Sequence, residues 1–87
     1  MIVVFEVHLP ASADSSTLLS AEVVRETKAQ VMTLAEAAHV GFQGLGTEPP
    51  GMQTRLVAVA PRDAQWVHRV LETHEAVAGF RRHDVDL

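Results

Sequence analysis

The sequence predicts one α+β domain, in which two helices lie on one face of a four-stranded antiparallel sheet. Several short runs are rich in β-branched residues and alternate apolar with polar side chains, as half-buried strands do. Two longer runs place apolar residues at helical spacing. The chain has 87 residues, a length that suits a single domain, spanning residues 1–87, with one modest core.

The first predicted strand covers residues 2–9 and ends at Pro10, which has no N–H group to donate to a sheet. Its alternation divides the side chains between two faces. One face carries Val3, Phe5, Val7 and Leu9, and the other carries Val4, Glu6 and His8. Because the first set is entirely apolar, we expect it to face the helices.

The first predicted helix covers residues 21–38, with Ser20 as its N-cap. A stripe of apolar residues recurs along it at helical spacing. The stripe consists of Val24, Val31, Leu34, Ala35 and Ala38. After this helix we predict an edge strand over 39–46, in which Val40 and Phe42 share one side and three glycines indicate a bulge.

The second half of the chain predicts three further elements. Turn-forming residues make 46–53 a loop. Residues 54–60 form a strand, residues 62–75 form a helix that begins after Pro61, and residues 77–87 form the last strand. The resulting order, β-α-β-β-α-β, is similar to the ferredoxin-like fold. That fold supports many unrelated functions, so the resemblance implies an architecture and no activity.

Composition excludes several classes of function. The chain contains no cysteine, which rules out disulfides, thiolate metal sites and thiol catalysis. Its net charge is −4, and its basic residues are scattered instead of forming the stripe that nucleic-acid binding requires. No segment has the length and hydrophobicity of a membrane span, and the first ten residues do not resemble a signal peptide. We therefore expect a cytoplasmic protein that binds neither nucleic acid nor membrane.

The principal candidate site lies on the sheet face opposite the helices. The resemblance to the ferredoxin-like fold implies that the first and last strands are antiparallel neighbours. If Phe5 and Phe80 pack beneath the helices, alternation turns four polar residues of these strands to the other face. These residues are Glu6, His8, Arg81 and His83. A carboxylate beside histidine and arginine suits an acidic ligand or acid–base chemistry. The structural alternative is a cross-strand Glu6–Arg81 ion pair on a solvated face.

Three other features are weaker candidates. The histidines lack the local spacing of a metal site, since His68 and His74 lie six positions apart, so we predict no metal. The glycine run of Gly41, Gly44 and Gly46 is not followed by a helix and indicates a flexible hairpin. Trp66, the single tryptophan, suits either the edge of the core or a binding interface.

These observations favour a small non-enzymatic domain, acting as a regulatory or accessory module without a cofactor. We expect it to form a homodimer and to bind a small acidic ligand or a protein partner. The reason for a dimer is a small core together with apolar surface from Val4 and either Leu45 or Leu56. The alternative is a cofactor-independent enzyme of the dimeric α+β barrel type, monooxygenase- or isomerase-like, in which Glu6, His8 and His83 transfer protons.

Overall fold

The computed structural model describes residues 1–86. In chain order its strands and helices are β1 (Ile2–Pro10), α1 (Ala21–Thr27), β2 (Gln30–Met32), α2 (Leu34–His39), β3 (Met52–Val59), α3 (Ala64–Thr73) and β4 (Gly79–Val85). Two single 3-10 turns, Ser15–Thr17 and Pro61–Asp63, precede α1 and α3. The predicted α+β class and the four-stranded antiparallel sheet are confirmed.

The sheet has the strand order β2-β3-β1-β4, and every neighbouring pair is antiparallel. The central strand β1 therefore has a partner on each side. Its register places Glu6 opposite Leu56 of β3 and opposite Arg81 of β4. Because opposed residues of an antiparallel pair share a face, this register decides which β4 side chains accompany Glu6.

One face of the sheet carries the larger core. The alternating residues of β1 predicted to be buried are at most 1% exposed, and they pack against α1, α3 and the segment before α1. The core consists of Val3, Phe5, Val7, Leu9, Leu18, Leu19, Val23, Ala29, Val57, Val59, Ala64, Val67 and Leu71. Burying this much aliphatic surface is the main favourable contribution to folding on this face.

The opposite face is covered as well, so the prediction of helices on one face alone is wrong. Helix α2 and the chain after it bring Ala37 and Phe42 onto Val4, Leu56 and Ala58. Val4 and Leu56 are completely buried. The apolar surface expected from these residues, and offered as a reason for dimerisation, is therefore covered by the chain itself.

The predicted helix over 21–38 is two helices separated by a strand. Helix α1 ends at Lys28, whose backbone adopts the left-handed conformation with φ 59° and whose N–H donates to the Val24 carbonyl. Residues of β2 then pair with β3, and Thr33 opens α2 through a capping box with Glu36. Val23, rather than the predicted Val24, faces the core.

The predicted edge strand over 39–46 is also wrong. Residues 40–46 form turns, with positive φ at Gly41 and Gly44, a conformation that glycine adopts without steric cost. Phe42 anchors these turns through burial and through its N–H, which donates to the Ala37 carbonyl. The second strand of the sheet is instead β2, which the sequence pattern had assigned to a helix.

The remaining predicted elements are present with shifted ends. Strand β3 begins two residues before the predicted 54, and α3 follows the Pro61–Asp63 turn. Strand β4 ends at Val85, so it is shorter than the predicted 77–87, and Leu87 lies outside the described residues. Within residues 1–86, no helix has the length and hydrophobicity needed to cross a membrane.

Candidate functional site

The structure brings all four sequence-predicted site residues together around one carboxylate. Glu6 lies at the centre of the sheet on the face that α2 partly covers. Arg81 is its direct neighbour on β4, and His83 and His8 lie two residues further along β4 and β1. The strand register therefore produces the cluster, since alternate residues of two paired strands point to the same face.

Both oxygens of Glu6 accept from nitrogen donors. Glu6 Oε1 lies 3.1 Å from His83 Nε2 and 3.4 Å from Arg81 Nε. Glu6 Oε2 lies 3.0 Å from His8 Nε2 and accepts a hydrogen bond of 3.3 Å from the Thr47 backbone N–H. Two hydrogen bonds and two further ion-pair contacts thus surround a carboxylate that the fold removes from water.

The Glu6 side chain is only 3% exposed, whereas Arg81 is 70% exposed. The loop between α2 and β3, which we call the covering loop, closes over the carboxylate. A Cβ added to Gly46 would lie 3.3 Å from Glu6 Cδ. The cross-strand Glu6–Arg81 ion pair of the structural alternative is present, but the solvated face that it presumed is not. A glycine at position 46 allows this close approach, because any side chain would crowd Glu6.

Opposing influences act on the pKa of Glu6. Burial raises its pKa, because a charged carboxylate loses hydration. The hydrogen bonds from His83 and Thr47, together with the charges of Arg81 and His8, lower the pKa further than burial raises it. The net pKa lies below its ordinary value of 4.5. Glu6 is therefore ionised at neutral pH and is a weak proton acceptor.

A second hydrogen-bond chain connects His8 to the covering loop. The Thr54 hydroxyl donates to the Thr47 carbonyl at 2.7 Å, and it lies 3.0 Å from His8 Nδ1. Since its single proton is committed to Thr47, the hydroxyl oxygen accepts from His8 Nδ1–H. The other ring nitrogen, Nε2, lies 3.0 Å from Glu6 Oε2.

Sequence reasoning missed the residues of the covering loop. Gly46 and Thr47 contact Glu6, and Thr54 holds Thr47 in place. The Thr54 backbone N–H also donates to Glu48 Oε1 at 3.2 Å. The glycine-rich run was the available signal, but a hairpin interpretation placed it away from the carboxylate.

The exposed side of the cluster forms a small recess of about 130 Å³. Its lining comes from β1, β4 and the covering loop. The lining residues are Glu6, Gly44, Leu45, Gly46, Thr47, Arg81 and His83. Larger grooves exist elsewhere, including one of about 450 Å³ beside Lys28 and Phe42. That groove holds no comparable cluster of interacting charges, so the smaller recess is the better candidate for chemistry.

The other sequence candidates have simpler roles. Among residues 1–86, no group of three histidine, aspartate or glutamate side chains is arranged to hold a metal ion. Gly41 and Gly44 serve the turns after α2. Trp66 lies on α3 outside both buried clusters and is 41% exposed, so the interpretation as part of the core edge does not describe it.

No protein-family model matches the chain, and no curated protein is significantly similar to it in sequence.

Proposed function

We propose that this protein is a small non-enzymatic module that binds an acidic ligand in the recess formed by Arg81 and His83. The observation that supports this proposal is that two of the groups that contact Glu6 also face the recess. The carboxylate is buried and has four nitrogen groups around it, and two of these groups, on Arg81 and His83, also line the recess. Glu6 thus acts as the fixed anchor that orients cationic groups for a ligand.

The guanidinium of Arg81 suits recognition of a carboxylate or phosphate group. Glu6 engages it through Nε, and among residues 1–86 it forms no second ion pair. Its two terminal nitrogens therefore remain for a bidentate contact with an anion. His83 lies beside it, 25% exposed, with its Nε2 held by Glu6.

The dimensions of the recess indicate the size of the ligand. Small-molecule sites usually enclose about 300–1,000 Å³, and this recess has about 130 Å³. It suits one acidic group and little of the molecule attached to it. Gly44 and Gly46 line the recess without side chains, so an anion can approach the backbone closely.

We also propose that the domain is a variant of the ferredoxin-like fold and that it forms a homodimer. Without α2, the elements follow the order β-α-β-β-α-β, and the strand order β2-β3-β1-β4 supports this interpretation. Helix α2 and the turns after it are then an addition that supplies the covering loop. The long terminal strand β4 supports association with a second copy.

A second candidate function is a cofactor-independent enzyme, and one contact favours it. Glu6 accepts from His83 Nε2 at 3.1 Å, which leaves Nδ1 to exchange a proton with a substrate, much as a carboxylate orients a catalytic histidine. In this alternative Glu6 orients the histidine and is not itself the base, because its lowered pKa makes it a poor one.

Ligand titration of three matched variants tests the proposal. The wild type, Arg81→Ala, His83→Ala and the control Arg69→Ala are titrated with small monocarboxylates, small dicarboxylates and inorganic phosphate. Binding is followed by amide chemical shifts and by thermal stabilisation. Arg69 is exposed on α3, away from the recess, so its substitution removes the same charge without touching the site.

We expect at least one of these anions to bind the wild type and the control equally. Arg81→Ala should weaken that binding about tenfold or more, since a charge-assisted hydrogen bond is lost. If no anion binds at millimolar concentration, or if Arg81→Ala binds as the wild type does, the proposal is wrong. Chemical conversion of the bound anion, lost in His83→Ala, would favour the enzyme instead.

A further inference from the structure

The outer edge of β4 is a long, unpaired strand edge. Strand β4 terminates the sheet and extends over seven residues, Gly79–Val85. Within residues 1–86, no strand pairs with its outer side. Such an edge presents free N–H and C=O groups to any strand of suitable register. The opposite edge of the sheet, β2, has only three residues and offers far less.

Charged side chains normally protect an exposed edge, and β4 carries several. Arg82 and Asp84 lie on one face of the strand, opposite Phe5 and Val3 of β1. They pair along the strand, with Arg82 Nε 2.7 Å from Asp84 Oδ1, and their side chains are 46% and 53% exposed. These two residues have opposite charges and lie on either side of His83 in the sequence.

Symmetry restricts how two copies of β4 can pair side by side. A two-fold axis perpendicular to the sheet makes the two strands antiparallel and keeps each face on the same side. Opposed residues must share a face, so the axis passes midway between the two copies of one residue, which then lie opposite each other. Each choice of that residue fixes the entire register.

Charge favours one register among those centred on the polar residues 81–84 of the strand. An axis at Arg81 or at Arg82 places two identical arginines opposite each other, and an axis at Asp84 places two aspartates opposite each other. Like charges in direct opposition destabilise a strand pair. An axis at His83 places Arg82 opposite Asp84 of the partner subunit, and the symmetry repeats this favourable pair on the other side of the axis.

We propose that two copies of this protein join through antiparallel pairing of their β4 edges around His83, which forms a continuous eight-stranded sheet. This inference rests on the homodimer proposed above. In the pair, Arg82 and Asp84 of both subunits form one group of alternating charge. The residues that would repel other strands therefore fit a second copy of the same strand.

Charge reversal provides a test that a role within one chain cannot imitate. Arg82→Asp gives a strand with two acidic groups, and Asp84→Arg gives a strand with two basic groups. Each variant alone sets like charges opposite each other, so we expect its dimer to be about tenfold weaker or more. An equimolar mixture restores both opposite-charge pairs, so it should form a heterodimer as tight as the wild-type dimer.

Sedimentation measures the dissociation constants, and native mass spectrometry identifies the heterodimer by its mass. Arg25→Glu mixed with Glu26→Arg serves as the control, because this ion pair is exposed on α1, away from the edge. These control variants should dimerise as the wild type does. Amide exchange of the wild type gives a measurement that needs no variant: the β4 amides whose N–H points away from β1 should be more protected at high protein concentration than at low.

The results separate this inference from the other proposals. A dimer that both charge reversals leave unchanged, or a mixture that forms no heterodimer, overturns the β4 register. A wild type that stays monomeric at high micromolar concentration, with amide exchange independent of concentration, overturns the dimer as well. His83 lies both at the proposed axis and in the recess, but the titration of Arg81→Ala measures binding of a small anion and not association, so each proposal can fail without the other.

Discussion

Both faces of the sheet are buried, but different interactions stabilise the residues on each face. The face beneath α1 and α3 has a core cluster of thirteen buried residues. All of them are aliphatic except Phe5. The face beneath α2 buries a smaller apolar set and, beside it, the charged Glu6. Phe5 and Glu6 are adjacent in the chain and both almost fully buried. Phe5 is held by apolar packing, which has no preferred direction, whereas Glu6 is held by donors at fixed positions.

The largest effect is expected from Phe5→Ala, which breaks the apolar face. Phe5 is completely buried, and its ring packs edge-on against Phe80 at a centroid distance of 5.9 Å. The substitution should lower the free energy of unfolding by about 3–5 kcal/mol, since it removes buried surface and leaves a cavity. Urea denaturation at neutral pH measures the loss.

Phe42→Ala makes the same change on the other face and is the matched comparison. Phe42 is 8% exposed and lies in the smaller cluster, so its loss should cost less than that of Phe5. Equal losses for the two variants would contradict the idea that the faces differ in the strength of their packing.

Glu6→Gln tests the charged face and should have the next largest effect. The amide retains the shape of the side chain but loses the charge that His83, Arg81 and His8 surround. We expect the free energy of unfolding at neutral pH to fall by about 2–3 kcal/mol. Chemical denaturation followed across a range of pH measures this difference.

The pH dependence of that difference has a definite sign. Because the pKa of Glu6 is lower in the folded protein than its ordinary value of 4.5, its ionisation stabilises the fold fully above that value. The stabilisation is lost as the pH falls below 4.5 and through the folded pKa. Wild type and Glu6→Gln should therefore converge in stability in acid. Glu36→Gln, which retains a capping box on the surface, is the control and should differ less from the wild type at neutral pH.

Gly46→Ala sharpens the comparison at the point where the covering loop meets Glu6, and its effect should be the smallest. An added Cβ would lie 3.2 Å from Leu34 Cδ2 and 3.3 Å from Glu6 Cδ. We expect a loss of about 1 kcal/mol from this crowding. Gly79→Ala is the control, since nothing lies within 4 Å of its added Cβ. Thermal unfolding that ranks Gly79→Ala as the more damaging would disprove the close approach of the loop.

Local patterns in the sequence were sufficient where a segment has one strong periodicity. The alternation of residues 2–9 identified β1 and placed Phe5 and Glu6 on opposite faces. The same parity argument, applied to the last strand, grouped Arg81 and His83 with Glu6, and the register of β1 with β4 does bring them together. This result needed residue types, the two-residue period of a strand, and the pairing of the first and last strands that the resemblance to the ferredoxin-like fold implied.

The sequence alone misassigned residues 21–46, because long-range pairing decides that region. Apolar spacing there is compatible with one helix, but Val31 pairs with Val57 across the sheet, a gain that no local pattern records. The break also requires Lys28 to adopt a left-handed conformation, which residue preferences disfavour.

The sequence by itself determined the α+β class, the central strand and the set of polar residues that share its second face. Only the tertiary structure decided that α2 and Thr47 cover that face, and that Glu6 is therefore buried instead of solvated. The physical reason is the separation along the sequence of the residues that interact. Side-chain alternation is a property of neighbouring residues, whereas the burial of Glu6 depends on a loop about forty positions away that folds back onto it.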